Sequence, residues 1–229
     1  MPNSAPATFV LVHSPLTGPV AWGGLPAVLR ERGNGVVVVD VHDDDAPPYA
    51  SRFVARAALQ IRERAGDAPA VLVGHSGAGY LLPLLGAARR AGRLPVRGYV
   101  FLDAGLPPSR PASRLELMHA ESREHADELV ALLDAGGRYP DWPDDDLRRL
   151  ARPRGRDFFD EPLPVAPDWP DVPCGYLRLS SSYDGPARQA RLRGWPVAGS
   201  GEHRPGGHFA ALVEPDRVAD DLEALLARL

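Results

Sequence analysis

A chain of 229 residues with a net charge of −4 suits one soluble domain and gives no electrostatic reason to expect nucleic acid or an anionic membrane as a partner. All 26 positions occupied by lysine or arginine are Arg, which excludes any mechanism that needs a lysine, and the lone Cys174 excludes a disulfide framework or a cysteine metal site. With abundant Ala, Gly and Pro, the Arg bias resembles a GC-rich bacterial coding sequence, and the apolar run Phe9–Val12 is too short for a signal peptide or a membrane span, so a cytoplasmic location is expected.

In chain order, Thr8–Val12 reads as a strand, followed by Trp22, Leu25, Val28 and Leu29 at helical spacing, with Gly33 as a stop. Val36–Val41 is a nearly unbroken β-branched strand, and Phe53, Ala57 and Ile61 make one helical stripe after it. Ala70–Val73 and Tyr99–Leu102 are two more strands, separated by an apolar helix around Leu81–Leu85. Continuous rather than alternating apolar runs predict strands covered on both faces, hence a doubly wound, mostly parallel α/β sheet.

After Asp103 the regularity breaks into a proline-rich, charge-rich stretch. Ser113 and Glu116 form a capping-box signature at the start of a helix carrying Leu117, Leu129, Leu132 and Leu133, and a second short helix is expected from the Asp144–Asp146 cluster. The length and irregularity of this stretch predict a small helical cap at about 107–170, inserted into a single domain whose core is 1–106 and 171–229. Pattern returns with a strand at Gly175–Leu179, a helix at about Pro186–Arg193, a short strand at Trp195–Val197 and an amphipathic closing helix from Pro215.

The most informative motif is Gly74-His75-Ser76-Gly77-Ala78-Gly79, placed between a strand and a helix. A serine with tiny residues two positions away on each side matches a nucleophile elbow, where the chain turns too sharply for larger side chains and lifts the hydroxyl above the sheet. This motif resembles the α/β-hydrolase superfamily, over nearly the whole chain outside the cap. Over about the first hundred residues the chain resembles the small esterases and hydroxynitrile lyases of the plant methyl-esterase type, on Phe9-Val10-Leu11-Val12-His13, Trp22 and Val39-Asp40.

The resemblance implies an α/β-hydrolase fold with Ser76 as nucleophile and His208, in Gly206-Gly207-His208 before the closing helix, as base; His203 is the competing histidine. Two aspartates compete for the acid. Asp184 precedes His208 by the commonest family spacing but lies in a turn where Asp is favoured simply for capping, whereas Asp103 ends a buried strand, where haloalkane dehalogenases carry theirs. Asp103 is preferred for its rigid placement. Most members carry His-Gly after the first strand, but this chain has His13-Ser14-Pro15-Leu16, and Pro15 has no N–H. The oxyanion donors are therefore expected to be Gly77 with Ser14 or Leu16, and His13 is read as structural.

Met118, Tyr139, Trp142, Phe158, Phe159 and Trp169 are expected to line an apolar pocket. The resulting expectation is serine-dependent hydrolysis of an ester, thioester or lactone of a small hydrophobic substrate, without metal or cofactor. A lyase or cyclase using the same Ser–His pair is the alternative; a ligand-binding module that has lost turnover is a third reading. Cyanohydrin cleavage is disfavoured, because the lysine that hydroxynitrile lyases use is missing. Oligomeric state is not legible.

Overall fold

The computed structural model describes residues 7–42, 45–199 and 205–229. Six strands form one fully parallel sheet: β1 (Thr8–Val12), β2 (Gly35–Val38), β3 (Ala70–Ser76), β4 (Val96–Ala104), β7 (Cys174–Leu177) and β8 (Val197–Ala198), in the order β2-β1-β3-β4-β7-β8. A two-stranded antiparallel ribbon, β5 (Ala112–Ser113) with β6 (Pro162–Leu163), stands apart from it. The expected doubly wound α/β fold is the observed one.

Both faces of the sheet are buried, which accounts for the unbroken apolar runs. Alternate residues of the strands point to opposite sides. Phe9, Leu11, Val71, Val73, Val100 and Leu102 meet α1 (Leu25–Glu31) and α9 (Pro215–Leu226) through Leu25, Leu29, Val218 and Leu222. Val10, Val12, Leu72, Tyr99 and Phe101 meet α2 (Tyr49–Ala65), α3 (Leu82–Ala91) and α8 (Asp184–Leu192) through Phe53, Ile61, Leu85 and Ala187.

The second strand ends earlier than its β-branched run suggests. Val39 still donates to Leu11 O at 2.9 Å, but the N–H of Val41 turns to His13 Nε2 at 3.2 Å, so a side chain ends the ladder. Strands β3 and β4 extend beyond their expected limits to Ser76 and Ala104.

Between β4 and β7 the chain forms α4 (Arg114–Glu121), α5 (Arg123–Asp134), α6 (Asp145–Arg148) and α7 (Arg156–Asp160). The capping box is present: Glu116 N–H donates to Ser113 Oγ at 3.1 Å, and Ser113 N–H to Glu116 Oε2 at 2.6 Å. The single helix expected to carry Leu117 through Leu133 is instead two. Ser122 adopts extended backbone and its Oγ accepts from His125 N–H, so it ends one helix and caps the next. The segment is tied to the sheet domain by polar contacts. Tyr49 donates to Asp157, Ala50 N–H to Glu161 Oε2 at 3.1 Å, and Arg154 Nη2 to Pro15 O at 3.3 Å. Among the described residues no helix is long and apolar enough to cross a membrane.

The ends of β3 and β4 approach so closely that the turn after Ser76 tolerates no side chain at Gly79, where a Cβ would lie 2.2 Å from Gly105 O. Gly79→Ala is therefore expected to lower unfolding free energy by about 2 kcal/mol or more in urea titration. An unchanged midpoint would contradict this close approach.

Candidate active site

Ser76 ends β3 at φ 57°, ψ −128°, a conformation that side-chain-bearing residues rarely adopt. It persists because neighbours fix the peptide on each side: Gly105 N–H donates to Ser76 O at 3.3 Å, and a tight turn, Gly77–Leu81, leads directly into α3. This 3₁₀ turn stands where the motif suggested that the helix itself begins. The Ser76 hydroxyl faces a cavity of about 490 Å³.

Asp103, one residue from the end of β4, is fully buried and also sits at positive φ, 42°. Its carboxylate is saturated with donors. Oδ1 accepts from Leu179 N–H at 2.8 Å and Ser180 N–H at 3.0 Å; Oδ2 accepts from Ser180 Oγ at 2.6 Å and His208 Nδ1 at 2.8 Å. Burial alone would raise its pKa, but the bonds from His208, Ser180 and Leu179 outweigh burial and hold it below its ordinary value. Beside it, the Tyr176 hydroxyl donates to Ala104 O at 2.9 Å and accepts from Ala104 N–H at 3.1 Å, clamping the strand end.

The other candidate acid, Asp184, starts α8, has a side chain 59% exposed, and pairs with Arg178. The structure thus brings Asp103, not Asp184, to the imidazole. His203 lies outside the described residues.

His208 sits on a short turn, Gly207–Phe209, after Gly206 in the left-handed region. Its ring is stacked on His75 at 4.3 Å between centroids and on Tyr183 at 4.9 Å. His75, immediately before Ser76, is buried, and its Nε2–H donates to His208 O at 2.9 Å. Burial, reinforced by the adjacent His208, lowers the His75 pKa to about 3, so it remains neutral. The Ser76 hydroxyl hydrogen-bonds not to the imidazole but to Tyr183 Oη, at 3.2 Å. Burial raises the Tyr183 pKa, so its phenol remains protonated. Ser76, Tyr183 and His208 all line the cavity.

The loop after β1 is organised around Ser14, which is fully buried. Its carbonyl accepts from His13 Nδ1 at 2.8 Å and Thr17 N–H at 3.0 Å, while its Oγ accepts Leu16 N–H at 3.2 Å. The N–H of Leu16 is therefore already engaged and is not a spare oxyanion donor. Ser14 Oγ lies beside Gly77, where a Cβ would stand 3.3 Å from it. With Leu16 as donor, the Ser14 hydroxyl keeps its own hydrogen to give.

The remaining wall is largely aromatic, with Arg114, Glu121, Ser122 and His125 among the residues that also line it. Met118, Tyr139, Trp142, Phe158 and Phe159 all line the cavity, and the Arg114 guanidinium lies 3.9 Å over the Phe158 ring. Trp169 does not join them. It packs against Phe101 and Trp195 at 6.2 and 5.7 Å, within the sheet's own core.

Residues 9–221 match the model of the alpha/beta hydrolase family. The chain belongs to that family. Solved structures sharing its fold include an extracellular alpha/beta-hydrolase from a Paenibacillus species, described as sharing structural and functional homology with tobacco salicylic acid binding protein 2. It is 17% identical with a TM-score of 0.77, over 96% of this chain and 99% of that one. Tomato methylketone synthase I complexed with 2-tridecanone is 16% identical with a TM-score of 0.66, over 98% and 99%. A polyneuridine aldehyde esterase mutant is 18% identical with a TM-score of 0.63, over 98% and 99%. No curated protein sequence matches the chain.

Sequence reasoning passed over Ser180 and Tyr183, because the Ser180–Asp184 stretch reads only as a turn and helix start. It assigned His13 a structural role, and the contacts specify how. Val41 N–H donates to Nε2, so Nδ1 carries the proton given to Ser14 O, which fixes one neutral tautomer. Burial lowers the His13 pKa to about 4.

The unfolded chain takes up a proton at this histidine near pH 6.5 and the folded chain only near pH 4. The associated stability is thus present above pH 6.5 and falls by about 3 kcal/mol as pH drops to 4. His13→Gln, whose amide supplies both an acceptor and a donor, is expected to flatten the stability–pH curve over that interval. Parallel urea titrations from pH 7 to 4 read this, and an unaltered slope would contradict it.

Proposed function

We propose that this alpha/beta hydrolase is a serine hydrolase that cleaves an ester, thioester or lactone of a small hydrophobic substrate through an acyl-enzyme. The observation that carries this reading is the fully buried Asp103 bonded at 2.8 Å to the Nδ1 of His208, which lines the same cavity as Ser76 at its strained elbow. With Nδ1–H given to Asp103, Nε2 is left as the basic nitrogen. Ser76 Oγ rotates from Tyr183 toward Nε2, passes it its proton and attacks the carbonyl carbon. The negative oxygen that forms is received by Gly77 N–H and the Ser14 hydroxyl. His208 then protonates the leaving group, and water repeats the sequence in reverse to release the acid.

The segment at about 107–170 acts in this reading as the cap that supplies the acyl pocket. Its aromatic wall suits an apolar acyl group, and the cavity of about 490 Å³ falls in the range of small-molecule sites. A lyase or cyclase route through the same Ser–His pair is the alternative reading, prompted by the Ser14 hydroxyl beside Gly77. Turnover in ¹⁸O-labelled water separates them: hydrolysis places label in the acid product, and a lyase does not.

A fluorophosphonate probe is expected to label Ser76, with labelling abolished in Ser76→Ala; well-folded protein that resists the probe would overturn the serine-hydrolase reading. Asp103→Asn is expected to lower kcat by about 10³- to 10⁴-fold, while Asp184→Asn leaves it within about 3-fold. The reverse ranking, measured by steady-state kinetics, would assign the acid to Asp184.

A further inference from the structure

One short turn touches every member of the proposed triad. Ser180 gives two hydrogen bonds to Asp103, while Tyr183, three residues on, stacks on His208 and reaches Ser76. The His75 and Tyr183 rings both stack on the imidazole, at 28° and 6°, yet make no ring contact with each other among the described residues. Two rings so near one imidazole and not near each other must cover opposite faces. The imidazole is therefore sandwiched between them, and neither stacked ring lies in the ring plane along which its nitrogens bond.

This placement distinguishes a participant from a plug. The Tyr183 ring covers a face of the imidazole, whereas Nε2 accepts in the ring plane. Its hydroxyl, 3.2 Å from Oγ, belongs to the ring stacked on the imidazole and so reaches the nucleophile from the histidine's side. The leaving group departs toward the histidine, since that residue must protonate it. We propose that Tyr183 is a catalytic residue whose hydroxyl shifts from Ser76 to the departing oxygen and donates a hydrogen bond there as the ester bond breaks. This rests on the serine-hydrolase reading above.

No extra proton is consumed. Ser76 Oγ forms the new bond to the carbonyl carbon, and its proton travels through His208 Nε2 to the leaving oxygen. That oxygen takes the electron pair of the broken C–O bond. The Tyr183 O–H bond stays intact throughout, in keeping with a phenol held protonated by burial. Its ring face also favours the imidazolium during the transfer.

Such a donor matters most when the leaving oxygen is strongly basic, which gives the test. Wild type and Tyr183→Phe are compared by kcat/KM, which reports acylation, on ethyl hexanoate and p-nitrophenyl hexanoate. The expected loss in the variant is about 10- to 100-fold on the ethyl ester and less than about 3-fold on the p-nitrophenyl ester. Fluorophosphonate labelling of Ser76 in the variant at near wild-type rate is the expected sign that the Ser76–His208 pair is intact. Equal losses on both esters would reduce Tyr183 to positioning the imidazole, and unchanged or faster turnover would make it a gate; either overturns the proposal. Failed labelling of the variant overturns it as well. If wild type itself neither turns over the esters nor takes the label, the serine-hydrolase reading falls and this inference with it.

Discussion

The buried carboxylate of Asp103 is the constraint around which the site is arranged. A carboxylate without water must find its full complement of donors within the protein, or it takes up a proton. Here four donors come from the chain after β7 and from the turn before the last helix. Satisfying that charge therefore pins two segments distant in sequence, and one of them carries His208. Remove the negative charge and the imidazole loses the bond that fixes its orientation and tautomer.

Around this pair, backbone strain is confined to a few positions that the sheet holds in place. Ser76 and Asp103 both sit at positive φ, at the adjacent ends of β3 and β4. Neither conformation is favourable for an isolated residue. Both are imposed by packing: Gly105 N–H on Ser76 O on one side, and the Tyr176 hydroxyl bridging the Ala104 peptide on the other. The hydrophobic layers on the two faces keep the sheet rigid enough to sustain this, and Ser76 and Asp103 lie at its carboxyl edge, where open α/β sheets hold their ligands.

Much of the fold was legible because burial on both faces leaves a strong imprint. Val36–Val39 and Ala70–Val73 are apolar without alternation, and the intervening helices carry clean stripes such as Phe53, Ala57 and Ile61. Boundaries were less legible where a side chain intervenes in the backbone ladder. His13 takes the Val41 N–H, and Ser122 divides what reads as one helix, because its hydroxyl caps the second half. In the site, Ser76 and His208 were marked by the glycines around them, whereas Asp103 and Asp184 were distinguishable only by rigidity. The contributions of Ser180, Tyr183 and Tyr176 left no local trace. Ser180 and Tyr176 act on residues more than 70 positions away, and Tyr183 joins Ser76, 107 positions away, to His208, so only tertiary packing assembles them.

The hydrogen bond from His208 Nδ1 to Asp103 underlies the whole site, and proton NMR in water observes it directly. A strongly deshielded imidazole proton is expected in wild type, retained in Asp184→Asn and lost in both His208→Gln and Asp103→Asn. A deshielded proton that survives Asp103→Asn, or disappears in Asp184→Asn alone, would place the histidine against a different carboxylate and contradict the account.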